Sequence, residues 1–176
     1  GIKLGPWYVI GPFTGKKPFL EKFAPEKKVN LKKTYAGQLN WIEKTDWEDG
    51  RVQPLPPAEN SATYVYRTIS AEQAFSHLLY LGSDDGIKVW LNGKLILQDD
   101  IYRGCAPNQE TANLRLKAGE NRLLMKITNG GGPTAFYFSL FEYGPEDIWQ
   151  ILEEDFKDAR SLQEMSWERQ DKIWDK

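Results

Sequence analysis

The sequence predicts an all-β fold, a sandwich or a barrel, from three observations. From residue 1 to about residue 145 the apolar segments are short, turn signals separate them, and apolar and polar residues alternate within several of them. Short strands at this spacing are typical of all-β sandwiches and barrels. The turn signals lie at Gly11-Pro12, Asp49-Gly50, Pro54 to Pro57, Asp85-Gly86, Asn92-Gly93 and Gly130 to Gly132.

A hairpin over residues 87–97 is the clearest predicted element. Asn92-Gly93 supplies the two positive-φ positions of a type I′ turn between two strands. Both faces of the hairpin are apolar, so we expect the opposing sheet to cover one face and a loop or appended element to cover the other. The two-residue turn pairs Leu91 with Lys94, Trp90 with Leu95 and Val89 with Ile96.

The remaining strands are predicted from apolar runs between turns. In the run over 121–128, Leu123, Met125 and Ile127 occupy alternate positions, which is the pattern of a half-buried strand. The other predicted strands cover residues 63–69, 77–82, 112–117 and 135–143.

After Tyr143 the pattern changes from strands to helices. Pro145 with two following acidic residues is a helix start, and Ser161 with Glu164 has capping-box spacing for a second helix. Residues 146–176 contain ten acidic and five basic residues, which leaves a net charge of +3 for residues 1–145. We therefore expect a β-sandwich domain over 1–145 and a pair of short α-helices over 146–176, an acidic appendage or a linker to a following domain.

Composition excludes several classes of function. The 176 residues fit one domain, and a net charge of −2 argues against a nucleic-acid-binding surface. No apolar stretch approaches the roughly 20 residues that span a bilayer, so we expect no membrane insertion. A single Cys and a single His cannot form an internal disulfide or a Cys/His zinc cage. Because the chain begins at Gly1 rather than Met, we expect an excised domain or a processed product.

Catalytic chemistry has few candidates. A nucleophilic dyad would have to use His77 or Cys105, and the sequence contains no Gly-x-Ser-x-Gly motif. The adjacent carboxylates of Asp84 and Asp85 should point to opposite faces of an extended chain, which does not suit an acid/base pair. We therefore expect a protein that is not an enzyme.

The seven tryptophans suggest a binding surface, because flat amphipathic rings stack on the apolar faces of sugars. Trp41 and Trp47 lie in a polar, non-periodic stretch and are the candidate platforms. The alternative for each is that it plugs one end of the sandwich, which we favour for Trp41 because Ile42 follows it.

Four polar residues near predicted turns are candidate ligand contacts. Arg103 and Gln109 have side chains suited to recognising hydroxyl groups. Asp84 and Asp85 are oxygen donors suited to calcium or to a sugar hydroxyl. The alternative for Asp85-Gly86 is a simple turn closed by the aspartate side chain.

Three segments carry a resemblance to known families. The segment 81–96, which contains Ser-Asp-Asp-Gly followed by the Asn-Gly hairpin, resembles galactose-binding-domain-like modules, such as the sugar-binding domains of β-galactosidases and β-glucuronidases, and protective-antigen-type domains. Residues 116–127 and 133–138 are similar to the closing strands of the first group. Residues 7–13 are similar to the opening strand of such modules in large secreted bacterial proteins.

The resemblance implies a jelly-roll fold and a non-catalytic carbohydrate-binding module of a larger extracytoplasmic protein, with a polysaccharide or glycan and neighbouring domains as partners. It also implies that Asp84 and Asp85, joined by a cis peptide bond, hold calcium. The alternative is a structural or protein-interaction domain that positions a neighbouring catalytic or electron-transfer domain through residues 146–176.

Overall fold

Residues 1–142, the part of the chain that the computed structural model describes, contain eleven β-strands, one helical turn, α1 (Ala24–Lys27), and one 3-10 turn (Ala36–Gln38). The predicted helices from residue 146 lie outside these residues, so the boundary at 145 stays a prediction. The strands are β1 (Ile2–Leu4), β2 (Trp7–Thr14), β3 (Ile42–Lys44), β4 (Gln53–Leu55), β5 (Ser61–Ala71), β6 (Phe75–Asp84), β7 (Ile87–Leu91), β8 (Lys94–Asp99), β9 (Glu110–Leu116), β10 (Gly119–Asn129) and β11 (Thr134–Ser139).

The strands form two antiparallel sheets. The seven-stranded sheet has the order β3-β2-β5-β10-β7-β8, and β1 pairs with the end of β5 that β2 leaves open. The four-stranded sheet has the order β4-β11-β6-β9. From β4 to β7, and again from β8 to β11, successive strands alternate between the two sheets. This path confirms the predicted all-β jelly-roll sandwich.

The predicted strands are present, and β5, β6 and β10 extend beyond both of their predicted ends. The predicted end of the last strand at residue 143 is wrong, because β11 ends at Ser139. The hairpin pairs Leu91 with Lys94 and Trp90 with Leu95 as predicted. The predicted pairing of Val89 with Ile96 is wrong, because a β-bulge shifts the register and Val89 pairs with Leu97. The three-residue strands β1, β3 and β4 were not predicted, since a segment so short shows no alternation.

The apolar residues form two clusters, one on each face of the seven-stranded sheet. The first lies between the sheets and includes Val65, Leu81 and Phe136. The second lies on the outer face and joins Tyr64, Tyr66 and Leu124 of the strands to residues from the long connection between β2 and β3. Trp90 packs against this second cluster, so the second face of the hairpin is covered at this residue, whereas its partner Leu95 is exposed.

Candidate functional site

A pocket of about 330 Å³ lies where several separate segments of the chain meet. One wall is the turn over residues 16–20, and another is the segment 100–102 after β8. The ends of β5, β6 and β10 contribute the remaining lining. The polar side chains of the lining include Lys16, Lys17, Asn60, Asp85, Asp100 and Asn129.

Asp85, which follows the last residue of β6, is fixed to two neighbouring loops. Its Oδ1 atom accepts a hydrogen bond from the backbone N–H of Arg103 at 3.0 Å, and its Oδ2 atom accepts one from the N–H of Gly130 at 2.9 Å. Its own N–H donates to the carbonyl oxygen of Thr128 at 2.7 Å. Asp85 therefore joins β6, the segment after β8 and the loop after β10 at the pocket.

Asp84 lies against Asp85 rather than on the opposite face of the chain. The peptide bond between them is cis, as the resemblance implies. Burial, and then the neighbouring Asp85 carboxylate, raise the pKa of Asp84 above its usual range. The expectation that these two carboxylates point apart is therefore wrong, because their side chains are close enough to interact directly.

Arg103 and Gln109 lie at the same place but hold the framework of the site. The Arg103 guanidinium donates to the carbonyl oxygen of Ser83 at 3.1 Å, to the Ser83 hydroxyl at 2.9 Å and to Glu110 at 3.0 Å. The Gln109 amide accepts from the N–H of Ser83 at 3.0 Å and donates to Gly104 at 2.7 Å. Both side chains thus use their polar atoms to fix the end of β6 and the loop after β8.

The two tryptophans proposed as platforms have other contacts. Trp41 is only 8% exposed and packs edge-on against Tyr66 in the second cluster, on the outer face of the seven-stranded sheet, so its ring is used in packing there rather than at an end of the sandwich. Trp47 is half-buried, with its ring 5.2 Å from Phe136 and the Lys44 ammonium 5.5 Å from its centre. Neither tryptophan lines the pocket that contains Asp85.

The aromatic residues of the pocket are Tyr102 and Phe19, neither of which the sequence pattern identifies as a candidate platform. Tyr102 is 83% exposed and its ring lies beside Gly130, where an added Cβ would come within 2.7 Å of it. A glycine at position 130 thus leaves room for this ring. The sequence signal was weak, because Tyr102 is a single aromatic in a non-periodic stretch.

Asn129 supplies an acceptor without a protein partner among residues 1–142. Its side chain is 2% exposed, and its Nδ2 atom donates to the carbonyl oxygens of Ala58 at 3.0 Å and Gly132 at 2.9 Å. Its Oδ1 atom is buried and accepts no hydrogen bond from this part of the chain. Because a buried polar atom normally finds a partner, this oxygen indicates a place for a water molecule, a ligand donor or a cation.

The side chain of Lys126 in β10 holds the turn over residues 16–20, which forms one wall of the pocket, in place. This lysine is 0% exposed, and its ammonium donates to the carbonyl oxygen of Phe19 at 3.3 Å and to that of Glu21 at 2.6 Å. It also forms an ion pair with Glu26 at 2.8 Å, and the Tyr64 hydroxyl donates to the same carboxylate. Burial lowers the pKa of Lys126, while Glu26 opposes that shift.

The two candidate catalytic residues have contacts of other kinds. The Nδ1 atom of His77 lies 2.6 Å from the carbonyl oxygen of Leu78, and its ring is beside Phe75. Burial, and then the Asp84 carboxylate, raise the pKa of Cys105 to about 12, so its thiol is protonated at neutral pH. Within residues 1–142 no three His, Cys, Asp or Glu side chains converge as a metal site.

No helix of residues 1–142 is long and apolar enough to cross a membrane. No family model and no curated protein matches the sequence.

The chain is similar to several solved structures. One is a PA14 sugar-binding domain from an RTX adhesin, with 18% identity, a TM-score of 0.35, and coverage of 46% of this chain and 51% of that chain. Another is the PA14 domain of the MpAFP antifreeze protein, with 14% identity, a TM-score of 0.38, and coverage of 80% and 65%. A third is an anti-sigma factor domain-containing protein from Clostridium clariflavum, with 14% identity, a TM-score of 0.44, and coverage of 81% and 48%. The chain thus spans about half to two thirds of the length of these three proteins.

Proposed function

We propose that this chain is a non-catalytic carbohydrate-binding module and that the pocket between Tyr102 and the wall over residues 16–20 binds a glycan. The observation that carries the proposal is an exposed aromatic ring beside a concave, polar lining with a buried acceptor that no residue among 1–142 satisfies. A sugar ring offers an apolar face for the aromatic and hydroxyl donors for the acceptor.

The polar lining matches the hydroxyl groups of a sugar. The Asp85 carboxylate is held by two backbone N–H groups, so its position does not depend on the ligand. Asn129 is held in the same way through its Nδ2 atom, which leaves its oxygen as the group available for a ligand. Acceptors fixed before binding favour affinity, because the ligand does not have to order them.

We propose calcium as a cofactor of this site, with Asp84 and Asp85 as the residues that would hold it. Two adjacent carboxylates supply the hard oxygen donors that calcium prefers. When bound, the ion would supply positive charge that attracts the hydroxyl oxygens of a sugar. Melting of the protein with calcium and with a chelator tests this, because an ion that binds only the folded state raises the melting temperature.

We also propose that the module belongs to a larger multidomain protein that acts outside the cytoplasm. The resemblance of residues 81–96 to modules of secreted proteins motivates this proposal. Fractionation of cells that express the full-length gene product, followed by immunodetection, tests the location.

A glycan array with the 176-residue chain tests the main proposal, followed by calorimetry with the best ligand. We expect Tyr102→Ala to weaken binding about tenfold, since stacking on the ring is lost. The matched control is Phe141→Ala, which removes an aromatic that is 78% exposed and does not line this pocket. An array without any retained glycan, or a Tyr102→Ala protein that binds like the wild type, would count against the proposal.

The second candidate is a protein-interaction domain, and an apolar groove of about 470 Å³ favours it. The groove is lined by Ile2, Leu4, Phe75, Leu140 and Phe141. Exposed apolar surfaces are typical of protein–protein interfaces. If the glycan array is empty and Phe141→Ser weakens binding of the chain to the purified remainder of its parent protein, this candidate replaces the first.

A further inference from the structure

We infer that the glycan bound in this pocket is acidic, and that Lys16 and Lys17 recognise its anionic group. The inference rests on the proposed function and adds the chemical class of the ligand. The two lysines stand on one wall of the pocket, and the acceptors Asp85, Asp100 and Asn129 come from other segments of the lining.

The polar groups of the pocket are of two complementary kinds. The side chains of Asp85, Asp100 and the free oxygen of Asn129 accept hydrogen bonds, so they require donors, which the hydroxyl groups of any sugar provide. A lysine ammonium only donates, so Lys16 and Lys17 require acceptors on the ligand. A carboxylate or sulfate on the sugar is the strongest such acceptor, because hydrogen bonds between charged groups are about twice as strong as neutral ones.

Lys16 and Lys17 are available for this role. Both are exposed, and neither ammonium forms an ion pair with a residue in the part of the chain that the structure describes. The nearest carboxylate in sequence, that of Glu21, accepts a hydrogen bond from the backbone N–H of Lys17 at 3.0 Å. This bond uses the Glu21 side chain to close the turn.

The backbone that presents the lysines is held in place. The N–H groups of Leu20 and Glu21 both donate to the carbonyl oxygen of Lys17 at 3.0 Å, which forms a tight turn. Beneath it, Lys126 binds the carbonyl oxygens of Phe19 and Glu21. A fixed turn reduces the conformational entropy that binding must overcome, so two exposed charges here contribute more than they would on a free loop.

The test compares three trisaccharides that differ mainly in the anionic groups they carry: galactotriose, its uronate analogue trigalacturonate, and a sulfated galactotriose. Calorimetry with the 176-residue chain at low and at physiological salt gives the affinities. We expect an acidic sugar to bind about tenfold more tightly than galactotriose at low salt, a difference of about 1.4 kcal/mol that two exposed ion pairs can supply. Salt should reduce this difference, because it screens exposed charges.

The Lys16→Gln/Lys17→Gln double variant should bind all three sugars with the affinity of the neutral one. The matched control is Lys32→Gln/Lys33→Gln, which removes two adjacent exposed lysines outside the pocket and should leave the preference unchanged. Preference for the uronate or for the sulfate supports the inference and identifies the anion. Equal binding of neutral and acidic sugars overturns the inference while the proposed function stands, whereas a chain that binds no glycan on the array overturns both.

Discussion

The guanidinium of Arg103 donates to both the carbonyl oxygen and the hydroxyl oxygen of Ser83, at 3.1 and 2.9 Å. Ser83 directly precedes Asp84 and Asp85, so this contact sets the position of the chain where it enters the candidate site. The same guanidinium reaches Glu110 of β9. One side chain therefore ties the end of β6, the loop after β8 and the neighbouring strand together.

Arg103→Lys should lower the free energy of unfolding by about 1–2 kcal/mol, since an ammonium cannot make the three contacts of the planar guanidinium at once. Urea unfolding measures the change. Arg115→Lys is the control, because Arg115 is exposed on β9 and should tolerate the same replacement with little effect. Equal stabilities of the two variants would contradict the structural role of Arg103.

Lys126→Met should destabilise the fold by about 3–5 kcal/mol, because Glu26 is then left buried without its ionic partner. The Lys126→Met/Glu26→Gln double variant should recover part of this loss, which a double-mutant cycle measures. Amide hydrogen exchange should increase over residues 16–22 in Lys126→Met, since two carbonyl oxygens there lose their donor. Unchanged exchange over this segment would show that Lys126 does not hold the pocket wall.

Asp84→Asn should stabilise the protein at pH 7 in the absence of calcium. Burial and the neighbouring Asp85 carboxylate raise the pKa of Asp84 in the folded state, so the folded protein binds more protons than the unfolded chain at pH values between the unfolded-state and folded-state pKa. The contribution of the Asp84 carboxyl to the stability of the fold is therefore fully present below its pKa in the unfolded chain. It is lost as the pH rises through its pKa in the folded protein. The asparagine avoids that loss, so the variant should be more stable than the wild type at neutral pH, and the difference should disappear at low pH, where Asp84 is protonated in both states.

Calcium should reverse this order of stabilities. The wild-type protein should melt at a higher temperature when calcium is added, and Asp84→Asn should gain less, because one carboxylate ligand is missing. Thermal melting of both proteins with calcium and with a chelator measures the effect. If calcium shifts neither melting temperature, the proposal that Asp84 and Asp85 hold the ion is wrong.

Cys105 should react slowly with thiol reagents while the protein is folded. Its pKa rises from 9.0 to about 12, which lowers the thiolate fraction at neutral pH about a thousandfold. The reaction with a disulfide reagent at pH 7.5, followed by absorbance in buffer and in concentrated urea, compares the folded and unfolded thiol. Similar rates in both solutions would show that the folded environment does not suppress ionisation of the Cys105 thiol.

The strands could be predicted from sequence because their signals are local. Asn92-Gly93 identifies the β7–β8 turn, and alternation identifies β10. The bulge that moves Val89 onto Leu97 could not be predicted, because it depends on how Ile96 and Leu97 pack against the first cluster.

The candidate site could be predicted only in part. Asp84, Asp85, Arg103 and Gln109 do lie together, but the roles of the last two depend on hydrogen bonds formed when the loop closes on Ser83. The role of Lys126 could not be predicted from sequence, since its partner Glu26 is 100 residues away in the chain. Such contacts between distant segments leave no periodic signal in the sequence.

Because Lys126 is buried beneath the pocket wall, the shape of the wall and its charge depend on different residues. The shape of the wall depends on a residue in the middle of β10, whereas its charge depends on two exposed side chains that make no ion pair with the rest of residues 1–142. Substitutions at positions 16 and 17 should therefore change the charge of the pocket at little cost in stability. If the pocket binds a glycan as proposed, chains that keep a lysine–glutamate pair beneath this turn can differ at positions 16 and 17, and so in the charge of the ligand that they select.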